Sequence, residues 1–351
     1  MDFPGCASVR RANGTAIGLR ETEFNGSSIL DDTTLFLLLE EWSHTPSGTN
    51  MKMFLISPVI CLVAGVLIIP TILFVIFSRF KIRQETRYML LGNALLSDLI
   101  YLLFYTLSAA LNAAYLYLPK EACVLLLFLL AVAYCGGLFT ALAIVLDTYI
   151  AVLFPLRYIA ILPPSRTKKI ILLLWMCSGA FPGIFFLVLW TTHSFVPCAL
   201  ETCSVPVILI LALNGTGIVK LCFWLSTTFI ILCLSVIFCC YAVLYFKTKH
   251  SGIWESICSR ASVTFLMHNT VLFFYFFPLL ALFVDSFLCI NVIRLQTGIL
   301  VSLTVCNVLI ILPKVLFPFL YGLRYREISA SLKSIVRRKQ LRLVSPAPPP
   351  S

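Results

Sequence analysis

The chain has 351 residues, 60% of them hydrophobic and 12% charged, with a mean hydropathy of +1.00 and a net charge of +11. Soluble domains carry about 25% charged residues, so burial in water cannot account for this balance. Lipid is the alternative solvent.

Residues 1–52 form a polar N-terminal segment, expected to be flexible. It carries the sequons NGT at Asn13 and NGS at Asn25, which are glycosylated only on the luminal side of a membrane. No apolar core of the signal-peptide kind precedes residue 34, so the first apolar segment is expected to act as an uncleaved anchor. Seven apolar segments follow within residues 53–322: Met53–Ser78, Tyr88–Ala113, Cys123–Leu146, Ile170–Thr192, Leu221–Phe246, Ala261–Val284 and Leu295–Leu320. A membrane helix needs roughly 20 residues, and backbone groups in lipid must pair within their own segment. The predicted fold is an all-α membrane protein, a bundle of seven transmembrane helices.

Two charges interrupt these segments, Asp98 in the second and Lys314 in the seventh. At helical rise Asp98 stands roughly 15 Å beyond Tyr88, and Lys314 roughly 10 Å before Tyr321. Their depths overlap, which predicts a buried ion pair; the alternative is that Lys314 snorkels to water at the inner face. In the third segment Leu126, Leu127, Leu130, Ala131 and Tyr134 share one stripe at helical spacing. Leu130, Ala131 and Tyr134, with Phe276 of the sixth segment, are the candidate ligand pocket. No Asp stands among them, which argues against an amine ligand. The third segment ends on Asp147, Thr148 and Tyr149, about 36 Å of helix from Cys123 and so at the opposite face.

The loop Ser194–Thr216 contains VPVILILAL, too short to span lipid, and reads as a lid over the mouth. A helix beginning at Val205 and ending at Phe246 would be about 63 Å long, so the sequon at Asn214 is expected on the outer loop. His268 and Asn269 in the sixth segment are polar groups at lipid depth, expected to hydrogen-bond another helix; no metal role is expected of the lone His. Beyond the seventh segment, apolar residues recur at helical spacing among Arg and Lys over 323–338. That pattern predicts a short amphipathic eighth helix on the membrane surface, before a Pro-rich tail at 339–351.

Lys and Arg set the orientation. The first, third and fifth connections and the tail hold 18 of them, and the opposite side seven. The positive-inside rule puts the N-terminus outside and the tail in the cytosol. Most of the positive charge then faces anionic membrane lipid, not nucleic acid.

Several motifs in this order resemble the rhodopsin-like (class A) G-protein-coupled receptors, from about Pro58 to Lys333. They are NALLSDL around Asp98, Cys123 opening the third helix, DTY at Asp147–Tyr149 in place of Asp-Arg-Tyr, Trp175 in the fourth, Pro278 in the sixth, and FPFLY at Phe317–Tyr321 in place of Asn-Pro-x-x-Tyr. RQETRYMLLGNALLSDL, HSGIWESICSRA and LPKVLFPFLYGLRYREI are also similar to an orphan vertebrate member, and YGLR and CSRA to fish odorant receptors. The resemblance implies an orphan plasma-membrane receptor that is not an enzyme and carries an extracellular signal to heterotrimeric G proteins. It implies an unknown extracellular ligand and no cofactor. An odorant-type chemosensory receptor is the alternative, and a transporter a more distant one; no H-E-x-x-H or G-x-S-x-G motif suggests an enzyme.

Residue by residue, Asp147, Thr148, Tyr149, Pro155 and Arg157 take the place of the G-protein-coupling face. Thr148 replaces the Arg that the family's acid holds, so that latch cannot form. Phe276, Pro278, Phe317, Pro318 and Tyr321 take the place of the activation switch, with Phe276 standing for the family's Trp and Phe317 for its Asn. The family's acid at the place of Asp98 binds sodium, a space Lys314 would fill here. Cys123 is expected to tie the outer loop, through Cys203 or alternatively Cys198.

Overall fold

A computed structural model describes residues 48–114, 116, 118–154, 156–192, 199–200, 203–205, 217–250, 270, 273–281, 284 and 304–324. The expectations for Asn13, Asn25, Pro155, Cys198, the lid over 206–216 with Asn214, His268, Asn269 and the amphipathic helix past residue 324 lie outside these residues.

Five long helices are complete: α1 (Gly48–Ser78), α2 (Thr86–Ala113), α3 (Lys120–Leu153), α4 (Pro164–Thr192) and α5 (Gly217–His250). Each contains a stretch of 24 to 31 residues apolar enough to cross a membrane. A helical stretch at 273–281 (α6) and the helix Leu312–Arg324 (α7), led by the π-helical turn Cys306–Ile311, supply parts of the sixth and seventh segments.

Each of these helices begins before its apolar segment, and α3 and α5 also run past its end. α1 starts at Gly48 and α4 at Pro164, where a proline's missing N–H removes a donor that has no partner in a first turn anyway. α3 runs on to Leu153, past Asp147, before the chain turns through Leu156 and Arg157 into a one-turn helix at Tyr158–Ile161. The transition from apolar to basic sequence is therefore not the end of the helix. Side-chain hydropathy marks the lipid boundary, whereas the backbone ladder continues until a residue interrupts it.

α1 shows how the bundle divides core from lipid. Ile69, Ile72 and Ile76 face inward and are at most 3% exposed, while Ile60, Leu67 and Phe74 on the other face are more than 60% exposed. An outer face this apolar is stable only against hydrocarbon. α2 packs most extensively on α1 and α3, and α3 also packs on α4 and α5, so α3 is the central helix. One core cluster joins α1, α2, α3, α6 and α7, and a second gathers Cys123 and Leu126 with Phe186, Leu189 and Val219.

Small residues let α3 sit so centrally. A Cβ on Gly137 would lie 3.0 Å from Tyr275 Oη and 3.4 Å from Asp98 Oδ1; one on Gly136 would lie 3.1 Å from Ser97 Oγ. Tyr275 and Asp98 are hydrogen-bonded to each other, so neither yields easily. Gly137→Ala should lower the melting temperature of the purified protein by the equivalent of about 1–3 kcal/mol of overpacking. Gly179→Ala, with nothing within 4 Å of the new carbon, should leave it unchanged or raise it slightly.

Candidate functional site

α2 carries a polar stripe. Thr86, Asn93, Ser97, Asp98, Tyr101, Tyr105, Ser108 and Asn112 recur at intervals of three, four and seven, apart from the adjacent Ser97 and Asp98, so they fall on one broad face, and all but the half-buried Asn112 are buried. Each meets a partner on another element or in its own helix, as groups in hydrocarbon must.

Near the start of α2, Thr86 Oγ1 lies 2.9 Å from Thr167 Oγ1 of α4 and donates to Leu162 O at 3.2 Å. Two turns further, Asn93 Nδ2 donates to Thr140 Oγ1 of α3 at 2.7 Å, and Trp175 Nε1 of α4 donates to Asn93 Oδ1 at 2.8 Å. A single amide thus ties three helices. At the far end, Asn112 and Cys203 exchange two hydrogen bonds: Asn112 Nδ2 to Cys203 O at 2.8 Å and Cys203 N to Asn112 Oδ1 at 2.9 Å. Ser108 Oγ also donates to Cys203 O, at 2.6 Å. Cys203 is disulfide-bonded to Cys123 at the head of α3. Of the two pairings open to the sequence, this is the one present. Nearby, Leu118 and Pro119 pair antiparallel with Leu200 and Ala199, holding the loop against α3.

Midway along α2 the two intramembrane charges meet. Lys314 Nζ donates to Asp98 Oδ1 at 2.7 Å, and Tyr275 Oη of α6 donates to the same oxygen at 2.8 Å. The ammonium also sits over three rings, 4.7 Å from the centroid of Tyr101, 5.3 Å from Tyr134 and 4.7 Å from Tyr275. Cation–π attraction of this kind reaches about 2 kcal/mol in a desolvated setting. Tyr134 Oη donates to Tyr275 O of α6. Lys314 is 3% exposed, so the snorkelling alternative does not apply.

The tyrosines around Lys314 escaped the sequence reading, which placed Tyr134 in a pocket stripe and passed over Tyr101 and Tyr275. A signal was present: Tyr101 and Tyr105 stand three and seven residues after Asp98, on its own helix face.

Three of the four candidate pocket residues, Leu130, Ala131 and Tyr134, line a cavity of about 210 Å³ between α3, α4 and α5. Phe276 is not among the residues that line it; it is 5% exposed within the core cluster. Phe181, Phe185, Phe186 and Phe223 complete an aromatic wall, and no charged side chain lines the cavity. Leu126, one residue off, packs in the cluster around Cys123 instead.

At the opposite end of α3, Asp147 is 5% exposed and accepts a hydrogen bond of 2.7 Å from Tyr158 Oη. Burial, and after it the bond to Asp147, pushes the Tyr158 phenol up to about 12, so it stays protonated and remains a donor at any physiological pH. Thr148 turns its hydroxyl back to Ile144 O at 2.9 Å. The partner of Asp147 is therefore a tyrosine eleven residues on, not its neighbour. Tyr149 is half-buried and Arg157 exposed at this end. Pro278 and Pro318 are buried, Phe317 packs on Phe274 of α6 at 5.9 Å between centroids, and Tyr321 lies on α7.

The pair is open to a direct test. An unpaired charge at the bilayer centre costs about 2.5–3.5 kcal/mol on insertion scales, and removing one partner of a buried pair about 3–5 kcal/mol. Asp98→Asn and Lys314→Met should each lower surface expression and melting temperature, and the double variant should recover most of the loss. Strictly additive losses would show that the two charges do not stabilise each other.

Comparison with known proteins places this geometry. No family model matches the chain. It is 30% identical over 291 residues to Probable G-protein coupled receptor 148 of Homo sapiens, covering 81% of this chain and 82% of that one. It is 26% identical over 224 residues to Olfactory receptor 4N5 of Homo sapiens, 62% of this chain and 68% of that one. Both relatives are receptors by name, and the five membrane-length helices of this chain suit a membrane receptor. The chain belongs to the rhodopsin-like family of G-protein-coupled receptors, multi-pass membrane proteins that pass an external signal to heterotrimeric G proteins.

Proposed function

We propose that this receptor responds to a small uncharged apolar molecule held in the chamber between α3, α4 and α5, with the end of α3 at Asp147 facing the G protein. The observation that carries the reading is the chamber lining, aromatic and aliphatic with no charged side chain. Among the described residues the buried ions near it, Asp98 and Lys314, are paired with each other, so an ammonium or carboxylate ligand would find no free counter-ion among them. A cavity of about 150 Å³ lined by apolar side chains holds benzene; at about 210 Å³ this one takes a somewhat larger ring compound.

The orientation follows from the charge bias: N-terminus outside, tail inside, in the plasma membrane. The coupling face is then Asp147, Thr148, Tyr149, Pro155 and Arg157, with the Asp147–Tyr158 bond closing it. Asn13, Asn25 and Asn214 are glycosylation sites on the outer side. The basic inner connections and the stretch 323–338 rest on anionic lipid. A chemosensory receptor for apolar odorants is the second reading, favoured by the likeness to an olfactory receptor and by the same chamber; restriction of expression to sensory epithelium would favour it.

The coupling face is tested by restoring the missing cation. In membranes at matched surface expression, Thr148→Arg should raise basal nucleotide exchange above wild type, because a guanidinium can pair with Asp147 and with a partner's carbonyls. Zero signal from both proteins, with every class of Gα subunit, would count against coupling through this face.

A further inference from the structure

The chamber has a neighbour. A smaller cavity of about 40 Å³ abuts it, and the two share Leu130 and Val205 in their linings. Its character is different. Where the chamber is aromatic, this annexe is lined by Ser204, Asn307, Tyr105, Ser108 and Asn112 among others.

Most of these groups already have work within the protein. Asn112 and Ser108 are committed to the backbone of Cys203, and Tyr105 Oη donates to Asn307 Oδ1 at 3.2 Å. That bond uses the oxygen of Asn307, and the Nδ2 group is a further donor on a residue that lines the cavity. Ser204 is the exception. It is 7% exposed, and its Oγ is the one buried side-chain polar atom without a protein hydrogen-bond partner among the described residues. Its place is not an accident of a loose loop, since the disulfide and the three bonds to Cys203 fix the preceding residue. A buried hydroxyl without a partner is costly, and native proteins rarely keep one without a reason.

We infer that the ligand is an uncharged amphipathic molecule: an apolar ring body in the chamber, and one hydroxyl or carbonyl oxygen reaching past Leu130 and Val205 to Ser204 Oγ and Asn307. The inference rests on the reading of the chamber as the ligand site and adds the chemistry of the ligand's polar end. Size agrees: the annexe admits a single polar group, and the chamber a ring of benzene size or somewhat more. Charge agrees too, because Ser204 and Asn307 both offer neutral donors, and no lining residue of either cavity among those named is ionised at neutral pH.

A matched pair of probes tests it: 3-phenylpropan-1-ol, and n-propylbenzene, which lacks the hydroxyl. Each is titrated against the purified full-length receptor, with the rise in melting temperature as readout. The alcohol should bind roughly fivefold to tenfold tighter than the hydrocarbon, the worth of one net hydrogen bond in a buried site. Ser204→Ala should abolish that preference, leave hydrocarbon binding unchanged, and leave the ligand-free melting temperature equal or higher. Ala131→Phe, which fills the chamber, should abolish binding of both. Equal binding of the two probes by wild type, still lost in Ala131→Phe, would mean that water alone satisfies the annexe; that outcome overturns this inference and leaves the chamber reading intact. If neither probe shifts the wild-type protein, both readings fall.

Discussion

Two charges at the middle of the bundle decide how the rest of it packs. Asp98 and Lys314 would each be expelled from hydrocarbon alone, and they remain because one carboxylate oxygen takes both the ammonium and the Tyr275 hydroxyl. That single atom therefore links α2, α6 and α7. The geometry has a demanding corollary on α3, which must come close without adding bulk. Gly136 and Gly137 meet that demand, the second directly against Tyr275 and Asp98. Once these helices are fixed, the Asn93 amide sets α4 through Trp175, and the Asn112–Cys203 exchange sets the outer loop. Hydrophobic burial has little say in these choices, since lipid is as apolar as the core. Polar complementarity along one face of α2 supplies the register.

The departures from the family's motifs acquire a physical meaning in this frame. With Thr148 bonded into its own helix, the acid before it is left to Tyr158, a partner carried on the loop that follows α3. The closure is thus between a helix and its own loop, a neutral phenol against a carboxylate, rather than an ion pair between adjacent side chains. In α6, Phe276 is a core residue beside Pro278, and the polar role in that turn passes to Tyr275 through its hydroxyl and its carbonyl. Phe317 packs its ring at a tilt against Phe274 instead of offering an amide.

Composition and segment length made the helices legible, because the lipid constraint is uniform along a segment and survives any rearrangement of partners. The meeting of Asp98 with Lys314 was legible as well, for only two charges lay at membrane depth and each had to find an answer. What could not be read was the identity of third parties. Tyr275 lies 177 residues from Asp98, and nothing in its own surroundings distinguishes it from the phenylalanines beside it. Tyr158 could not be recognised as the partner of Asp147, because it lies eleven residues on, past the end of α3 at Leu153, where the path of the loop decides what it meets. The polar stripe of α2 was visible in principle, as a period of three and four, but was masked by the tyrosines, which count as hydrophobic in any composition tally. Phe276 lies in the core cluster and not along the chamber for the converse reason: sequence tells that a position faces inward, not which interior space it faces.

The chamber and the ion pair are not independent structures. Tyr101 and Tyr134 line the chamber with one part of their rings and flank the Lys314 ammonium with another. They also pack on each other, centroids 5.7 Å apart, and Tyr134 meets Tyr275 at 6.1 Å. Anything that presses on these rings from the chamber side changes the polarisable shell around a buried cation. A ligand shifts an equilibrium only by its differential affinity for the two states. Cation–π contacts worth up to about 2 kcal/mol each when desolvated give a neutral molecule electrostatic leverage that it lacks by itself. On the proposed reading, an uncharged ligand in the chamber acts on the buried Asp98–Lys314 pair without touching either charge.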